Sequence, residues 1–358
     1  MKEGVNLKIL VINPGSTSTK IALYEKEQSK LEKTVRHDSE ELEKFSELAD
    51  QFEYRLGHVK EAVQEGGWEL HELDAVVARG GLLKPVPGGT FEINEKMVDD
   101  LKKARYGEHA SNLGAIMADS LRDELNIPAY IVDPVAVDEF EEVARLSGLK
   151  DLERISQSHA LNMKAVAREV AENMGKSYFD VNLIVCHLGS GISVAPHKNG
   201  KMIDVNNANN EGPFATERAG TLPAYNLVRL CYSGRYSEEE MVKKVIKEGG
   251  IYSYMGTKDV SKVEEQAKSG DERAKLVIDA MIYQISKEIG AMATVLEGQV
   301  DAIVITGGMA NSKYIIGKIQ KRVDFIAPVK IVPGERELEA LALGAYRVLS
   351  GKEQPNIY

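Results

Sequence analysis

Two stretches of the chain, about half its length apart, follow the same plan of a buried strand, a small-residue loop and a second strand. In the first, residues 9–12 lead into NPGSTSTK at 13–20 and then into residues 21–24. In the second, residues 183–188 lead into Gly189-Ser190-Gly191 and another apolar run. These β-branched apolar runs are too short for ordinary helices and are typical of buried strands. The similarity predicts two domains of like topology, although two hairpins can also occur by chance in one α/β protein.

The second stretch has two further features that bear on its chemistry. Gly189, Ser190 and Gly191 carry small side chains or none, so their backbone amides can approach an anion closely. Asn199-Gly200 follows and is a strong hairpin signal. The stretch ends in EGPFATERAGT, in which Arg218 lies between a turn-forming region and a glycine. A phosphate loop on a sheet with an arginine nearby indicates phosphoryl transfer.

Three other buried strands end on candidate site residues, at the carboxyl ends where parallel α/β sheets bind ligands. They are residues 73–78 before Arg79, residues 129–132 before Asp133, and residues 301–305 before a loop with Gly307, Gly308 and Asn311. The alternative for Arg79 is a structural ion pair with a carboxylate. The alternative for Asp133 is a turn cap. We predict that these strand ends, together with the two hairpin loops, line one ligand cleft.

Apolar residues at three- and four-residue spacing predict helices between the strands. The predicted helices are residues 39–64, 94–107, 111–125, 154–174, 225–230, 237–247, 271–296 and 335–349, with a loop at 249–258. His159 lies near the start of one helix, either as a packing residue or as a donor to developing negative charge. Glu335 and Glu337 begin the last helix, where they either favour its dipole or hold Mg²⁺. We place the domains at 1–150 and 151–334, with 335–358 returning to the first.

The charge and composition limit the partners of this chain. The formal net charge of −10 argues against nucleic acid and anionic membranes as partners. No apolar run is long enough to span a membrane, and the start of the chain lacks the apolar segment of a signal peptide, so we expect a cytoplasmic protein. Its two cysteines provide neither a disulfide framework nor metal-ligand spacing. An anionic substrate would therefore require local arginines such as Arg79 and Arg218, whose guanidinium fork matches both carboxylate and phosphoryl oxygens.

Four ordered motifs resemble the acetate and butyrate kinase family over nearly the whole chain. They are NPGSTSTK at 13–20, HLGSGISV at 187–194, EGPFATERAGTLP at 211–223 and GGMANS at 307–312. The family belongs to the sugar kinase and actin-like ATPase superfamily, so the resemblance implies two ribonuclease H-like domains with a ligand cleft between them. One departure is Ser190, because acetate kinases usually have asparagine after His-Leu-Gly.

The resemblance implies a role for each matching residue. For nucleotide and phosphate binding these residues are Asn13, Ser16, Lys20, His187, Gly189, Ser190, Gly191, Gly307, Gly308 and Asn311. For the transferred group they are Arg79 and Arg218 flanking the acyl phosphate, Asp133 orienting substrate or metal, and His159 donating to the phosphoryl group. For Mg²⁺ they are Asn13 with Glu335 or Glu337, because the family's paired glutamates align with Glu335-Arg336-Glu337 in more than one way.

The implied activity is reversible, in-line transfer of a phosphoryl group between ATP and a short-chain carboxylate, giving ADP and an acyl phosphate with Mg²⁺. The ERAGTLP run and the compact length resemble the butyrate-specific members, so butyrate is the expected acid. Kinases of acetate, propionate or a branched acid such as isobutyrate remain alternatives. A different class of protein, an actin-like ATP-binding or assembly protein, would leave the two arginines and His159 without a joint purpose. The resemblance also implies a homodimer or a higher homo-oligomer.

Overall fold

The computed structural model describes residues 6–358. The prediction that the start of the chain lacks a signal peptide falls partly on residues 1–5, which lie outside the described residues. The described chain forms two compact units. The first holds everything up to Asp138 together with Ala160–Asn162 and Arg336–Tyr358, and the second holds Glu139–His159 and Met163–Glu335. Each unit has its own sheet flanked by helices.

Strands form at each of the predicted apolar runs, with bounds shifted by a few residues, and short strands at 90–92 and 356–357 form where none was predicted. In chain order they are β1 (Lys8–Pro14), β2 (Ser18–Glu25), β3 (Gln28–Arg36), β4 (Ala75–Arg79), β5 (Thr90–Glu92), β6 (Ala129–Val132), β7 (Leu183–Leu188), β8 (Ile192–Lys198), β9 (Lys201–Met202), β10 (Ala302–Gly307), β11 (Val329–Pro333) and β12 (Asn356–Ile357).

The two sheets share a topology. The first has the order β12-β5-β6-β4-β1-β2-β3, and the second has the order β11-β10-β7-β8-β9. In both, three consecutive strands form an antiparallel meander, and two later strands pair in parallel beside the first strand of that meander. The predicted α/β fold with two domains of like topology, each led by a strand–loop–strand hairpin, is confirmed.

The helices connect and cover these strands. In chain order they are α1 (Ser39–Leu42), α2 (Phe52–Glu65), α3 (Glu95–Lys102), α4 (Asn112–Leu125), α5 (Glu142–Arg145), α6 (Ala160–Asn173), α7 (Ala224–Cys231), α8 (Glu238–Ile246), α9 (Gly250–Met255), α10 (Val260–Lys268), α11 (Glu272–Val295), α12 (Lys313–Val323) and α13 (Glu337–Leu349).

The central strands of the first sheet are buried on both faces. Leu10 and Ile12 of β1 belong to one apolar core with side chains of α2, α3 and α4. Because side chains alternate along a strand, Ile9 and Val11 point to the opposite face, where α13 contacts β1, β4 and β6. Gly344 permits this approach, since a Cβ there would lie 2.5 Å from Cγ2 of Val132. In the second unit, β7, β8 and β10 share a core with α11 and α12.

The Asn199-Gly200 turn joins β8 to β9 as predicted. Both residues have positive φ, 52° for Asn199 and 76° for Gly200, as a two-residue hairpin turn of type I′ requires. Lys198 pairs directly with Lys201 across this turn. The dipeptide therefore sets the register of the hairpin that leaves the small-residue loop of the second unit.

Two of the predicted helices and one predicted loop are wrong in extent or type. Residues 39–64 do not form one helix, because α1 ends at Leu42 and α2 begins at Phe52 after a short 3₁₀ turn. The region at 154–174 is helical only from Ala160, because Arg154 pairs with Asp204 and Glu211 in an irregular segment. Residues 249–258 are not a simple loop, since α9 forms there and ends at Gly256, whose φ is 67°. Local periodicity carries no information about such long-range pairs.

Within residues 6–358, none of the helices combines the length and the apolar character that crossing a bilayer requires.

Candidate active site

The first unit brings the predicted site residues Asn13, Arg79 and Glu337 into contact at one sheet edge. Because β1, β4 and β6 run parallel, their carboxyl ends, which carry Asn13, Arg79 and Asp133, lie along that edge. Nη1 of Arg79 donates to Oε1 of Glu337, and Nδ2 of Asn13 donates to Oε2 of the same carboxylate at 2.8 Å. Glu337 is the first residue of α13, where the helix dipole favours a negative charge. The carboxylate therefore joins two strand ends to a helix N-terminus.

Asp133 is buried and its backbone is in the left-handed region, with a φ of 36°. Its Oδ1 accepts from the backbone N–H of Gly89 at 2.7 Å, and its own N–H donates to the carbonyl of Gly89 at 3.0 Å. A non-glycine residue at positive φ costs about 1–3 kcal/mol and persists where the surroundings enforce it. Asp133 therefore fastens the loop before β5 to the end of β6.

Ser16 and Lys20 lie on the first hairpin. Ser16 is exposed at the loop, and the half-buried Lys20 pairs with Asn13 across β1 and β2. Within residues 6–358, neither side chain makes a hydrogen bond or ion pair. Both are therefore available to a ligand from solvent.

In the second unit, two predicted histidines form a stack. The rings of His159 and His187 lie 3.9 Å apart between centroids and are parallel to within 8°. Nδ1 of His159 lies 3.0 Å from Oγ of Ser193 on β8, and Nε2 of the buried His187 lies 3.5 Å from Oε1 of Glu335. Glu335 follows β11, so it reaches the same sheet edge as the end of β7. Glu335 and Glu337 thus belong to different units.

Arg218 packs directly against the small-residue loop. A Cβ at position 191 would lie only 2.1 Å from Nη1 of Arg218, so Gly191 is required for this approach. Burial lowers the pKa of the Arg218 guanidinium, and the nearby Glu217 carboxylate acts in the opposite direction. Glu217 is itself paired with Lys258, and no carboxylate in the described part of the chain forms an ion pair with Arg218. The loop therefore holds a partly buried cation whose natural partner is an external anion.

The glycines of this unit allow close approach of two strand ends. Gly307 has a φ of 89°, and a Cβ there would lie 2.5 Å from the carbonyl oxygen of Leu188. Asn311 donates from Nδ2 to the carbonyl of Gly308 at 3.0 Å, which closes the short 3₁₀ turn after β10. The Asn311 side-chain amide therefore stabilises the turn in which Asn311 itself lies.

A cavity of about 500 Å³ opens beside these loops, which is in the size range of ligand sites. It is lined by the predicted residues Gly189, Ser190, Gly308 and Glu335, and also by Thr216, Glu217, Lys258, Val260, Ser261 and Met309. Lys258, Val260 and Ser261 were missed from the sequence, because they come from a loop and a helix with no motif of their own. Thr216, Glu217 and Met309 lie within the quoted motifs, but no role was assigned to them.

Two residues outside the predicted set, Ser193 and Arg55, contact its members, and a third, His109, is affected by the charge of one of them. Ser193 holds His159, and Arg55 of α2 donates to the carbonyls of Gly15 and Ser16. Burial lowers the pKa of the His109 imidazole, and the positive charge of Arg79 lowers that pKa further. A polar residue at a core position of a helix was the one sequence signal for Arg55. Ser193 lies within the HLGSGISV motif at 187–194, but no role was assigned to it.

The donor atoms fit a hard divalent cation. No group of three or more His, Cys, Asp or Glu side chains suited to a metal converges anywhere in residues 6–358. Mg²⁺ seldom uses such a cage, since it binds one or two carboxylates and completes its shell with water and phosphate. Oδ1 of Asn13 accepts no hydrogen bond in the described chain and lies on the same amide that contacts Glu337. An amide oxygen and a carboxylate are thus present together.

Two acetate kinases and a propionate kinase of known structure share this fold. The acetate kinase of Porphyromonas gingivalis matches with a TM-score of 0.77 and 21% identity over 97% of this chain and 100% of that one. The propionate kinase of Francisella tularensis matches with a TM-score of 0.73 and 20% identity over 94% and 98%. The acetate kinase of Entamoeba histolytica matches with a TM-score of 0.72 and 16% identity over the same shares. At these identities the likeness establishes the fold.

A family model described as the acetokinase family matches residues 153–334, which is just over half of the chain. The class is therefore that of the nucleotide-dependent carboxylate kinases. The chain belongs to the acetokinase family.

Proposed function

We propose that this protein transfers a phosphoryl group reversibly between ATP and butyrate, giving ADP and butyryl phosphate by direct in-line displacement. The proposal depends mainly on the position of the Arg218 guanidinium. This guanidinium lies against Gly191 of a phosphate-type loop and has no carboxylate partner in the described residues. A cation held in this way suits the charge that develops on a phosphoryl group in transfer. Butyrate is supported by the ERAGTLP run that follows this arginine.

The residues supply binding and electrostatic stabilisation, and no general base is needed. A carboxylate acceptor is already ionised near neutral pH, so no proton has to be removed before attack. Arg79 is assigned to the acid and its acyl phosphate. The donor to the transferring phosphoryl oxygens is assigned to Nε2 of His159, because Ser193 holds Nδ1. The loop at Gly189–Gly191 and the cavity beside it are assigned to the nucleotide.

Mg²⁺ would be held by Asn13 and Glu337, and it would neutralise phosphate charge when bound. Asn13 was predicted as a metal contact independently of the glutamates, and Glu337 is the glutamate that its amide touches. Glu335 instead faces His187. The structure thus favours Glu337 where the sequence left both glutamates open.

Replacing Glu337 with Gln is expected to raise the Mg²⁺ concentration for half-maximal activity by about tenfold or more, because a carboxylate ligand is lost. Glu335→Gln should leave that concentration within about threefold of the wild-type value, and so should the control Glu339→Gln on the same turn of α13. The measurement is initial rate against free Mg²⁺ at saturating ATP. If Glu335→Gln gives the large shift and Glu337→Gln does not, the assignment is wrong.

Trapping of the product with hydroxylamine tests the proposed reaction. The protein, ATP and Mg²⁺ are incubated with straight acids of two to five carbons and with isobutyrate, and hydroxamate and ADP are both measured. We expect the highest kcat/KM with butyrate. One methylene contributes about 10- to 200-fold discrimination in a hydrophobic pocket, so propionate and acetate should follow in that order.

The carboxylate kinase assignment and the choice of butyrate as the acid can be overturned separately. Absence of hydroxamate with every acid would overturn the carboxylate kinase assignment for this chain. ADP formation that does not depend on added acid would favour the actin-like ATPase alternative. A higher kcat/KM with acetate, propionate or isobutyrate would overturn butyrate alone. The homo-oligomeric state and the cytoplasmic location stay predictions.

A further inference from the structure

Arg55 is a fully buried charged residue beside the apolar core of the first unit. It lies on α2 and is fully buried, with the largest side chain among the fully buried residues of the described chain. Its neighbours Leu56 and Val59 belong to the core of the first unit. Burying a guanidinium is costly unless its N–H groups are hydrogen-bonded and its charge has a use. The position of Arg55 therefore needs a physical reason.

The guanidinium is bonded to the first hairpin loop. Nη1 donates to the carbonyls of Gly15 at 2.8 Å and Ser18 at 3.3 Å, and Nη2 donates to the carbonyl of Ser16 at 2.9 Å. Nη1 also reaches Oγ1 of Thr19 at 3.2 Å. Nε and Nη2 share Oε1 of Gln51 at 3.0 and 2.8 Å. Three backbone carbonyls within four residues thus point at one side chain.

The charge of Arg55 is not neutralised by an acid. No carboxylate in residues 6–358 forms an ion pair with it, and its acceptors are carbonyl, amide and hydroxyl oxygens. Burial accordingly lowers the pKa of the guanidinium, although it stays charged. A positive charge therefore lies directly beneath the loop.

The inward carbonyls determine where the loop amides point. In a trans peptide the C=O and the following N–H point in opposite directions. Since the carbonyls of Gly15 and Ser16 point at Arg55, the N–H groups of Ser16 and Thr17 point away from it. Neither N–H has a hydrogen-bond acceptor in the described chain, and both residues are exposed. Two successive outward N–H groups over a buried cation are suited to donate to an anion.

We infer that Arg55 is a positioning residue that shapes the loop at Gly15–Ser18 for a phosphate group of the substrate. It acts by holding the carbonyls inward, so that the N–H groups of Ser16 and Thr17 meet the phosphate. The inference rests on the proposed phosphoryl transfer, and it adds a residue to which no motif in the sequence points. Lysine cannot replace it, because a single ammonium cannot follow the planar fork that reaches Gly15, Ser16 and Gln51.

The first experiment measures phosphate-ligand binding by calorimetry for the full chain and for Arg55→Lys, with ADP and with a non-hydrolysable ATP analogue. We expect binding to weaken by about ten- to hundredfold, which corresponds to the loss of a hydrogen bond to a charged group. An effect on the analogue alone would assign the loop to the terminal phosphate, and an effect on both ligands would assign it to an inner phosphate. The KM for butyrate should change by less than about threefold, which a general structural defect would not reproduce.

A matched control separates positioning from packing. Arg122 of α4 also donates to a backbone carbonyl, that of Ile93 at 2.8 Å, but it does not touch the loop. Arg122→Lys should leave nucleotide affinity unchanged. Wild-type affinity in folded Arg55→Lys would overturn the inference. A wild-type chain that binds nucleotide but forms no acyl phosphate would overturn the proposed function and leave the inference standing.

A second variant decides the matter if Arg55→Lys does not fold. Thr17→Pro removes the outward N–H together with the threonine side chain and fixes φ at this position, and it leaves Arg55 in place. Thr17→Ala removes the side chain and keeps the N–H. We expect about tenfold weaker binding for Thr17→Pro and unchanged binding for Thr17→Ala. Equal affinity in the two variants would contradict the geometry on which the inference depends.

Discussion

Arg218→Ala is expected to lower kcat by about 10³- to 10⁵-fold, the range found for arginines that stabilise charge on a transferring phosphoryl group. The guanidinium lies against Gly191, is partly buried, and has no carboxylate partner in the described chain. A cation prepared in this way costs little reorganisation when negative charge develops beside it. The KM for ATP should change much less than kcat, because the lost interaction belongs mainly to the transition state.

Steady-state kinetics with butyrate and ATP, and with butyryl phosphate and ADP in the reverse direction, check this expectation. Arg229→Ala is the matched control, because Arg229 is an exposed arginine of α7 in the same unit. A third variant, Gly191→Ala, keeps Arg218 but places a Cβ 2.1 Å from its Nη1, so it should also lose most activity. If Arg218→Ala retains more than about a tenth of the wild-type kcat while the control is normal, the proposed mechanism is wrong.

Arg79→Ala is expected to lower kcat/KM for the carboxylate by about a thousandfold or more. Arg79 lies at the carboxyl end of β4 and is paired with Glu337. Its planar fork is suited to bind the acid and its acyl phosphate in a bidentate manner, which a lysine does not reproduce. We therefore expect Arg79→Lys to recover little activity and to show a raised KM for butyrate.

The same assays apply, with butyrate varied at saturating ATP and Mg²⁺. Arg105→Ala is the control, since Arg105 forms a surface pair with Asp99 and a second pair with Asp100 in the same unit. Nucleotide affinity should be nearly unaffected by Arg79→Ala. The assignment of Arg79 to the acid would fail if the variant kept its kcat and its KM for butyrate, or if only nucleotide binding weakened.

Much of the first hairpin could be anticipated from local pattern, but its supporting side chain could not. Strand, loop and strand follow from the alternation of apolar runs with small and polar residues, and β1 and β2 form as expected. Arg55 is 36 residues from Thr19, whose hydroxyl it touches. Helical periodicity indicates that such a position faces the core, but it does not indicate which loop lies beneath it. The partner is set by how α2 packs on the sheet.

The final helix illustrates the same division. Its acidic first turn was visible in the sequence, and with it the two candidate metal carboxylates. Only Arg336 separates Glu335 from Glu337, yet Glu335 follows β11 and contacts His187, while Glu337 begins α13 and contacts Asn13. The change from strand end to helix start turns the two side chains toward different units. The spacing of the two glutamates in the sequence does not indicate that their side chains point toward different units.

By itself the sequence determined the alternation of strands and helices, the two hairpins and the residue types that phosphoryl transfer requires, because these depend on short-range periodicity and turn chemistry. Only the tertiary structure decided that Glu337 joins Asn13 to Arg79, that Gly191 admits Arg218, and that Arg55 lies beneath the loop. Each of these contacts joins residues far apart in the chain. Their side chains meet because buried faces must pack and buried charges must find oxygen partners, and both requirements are satisfied only in the assembled fold.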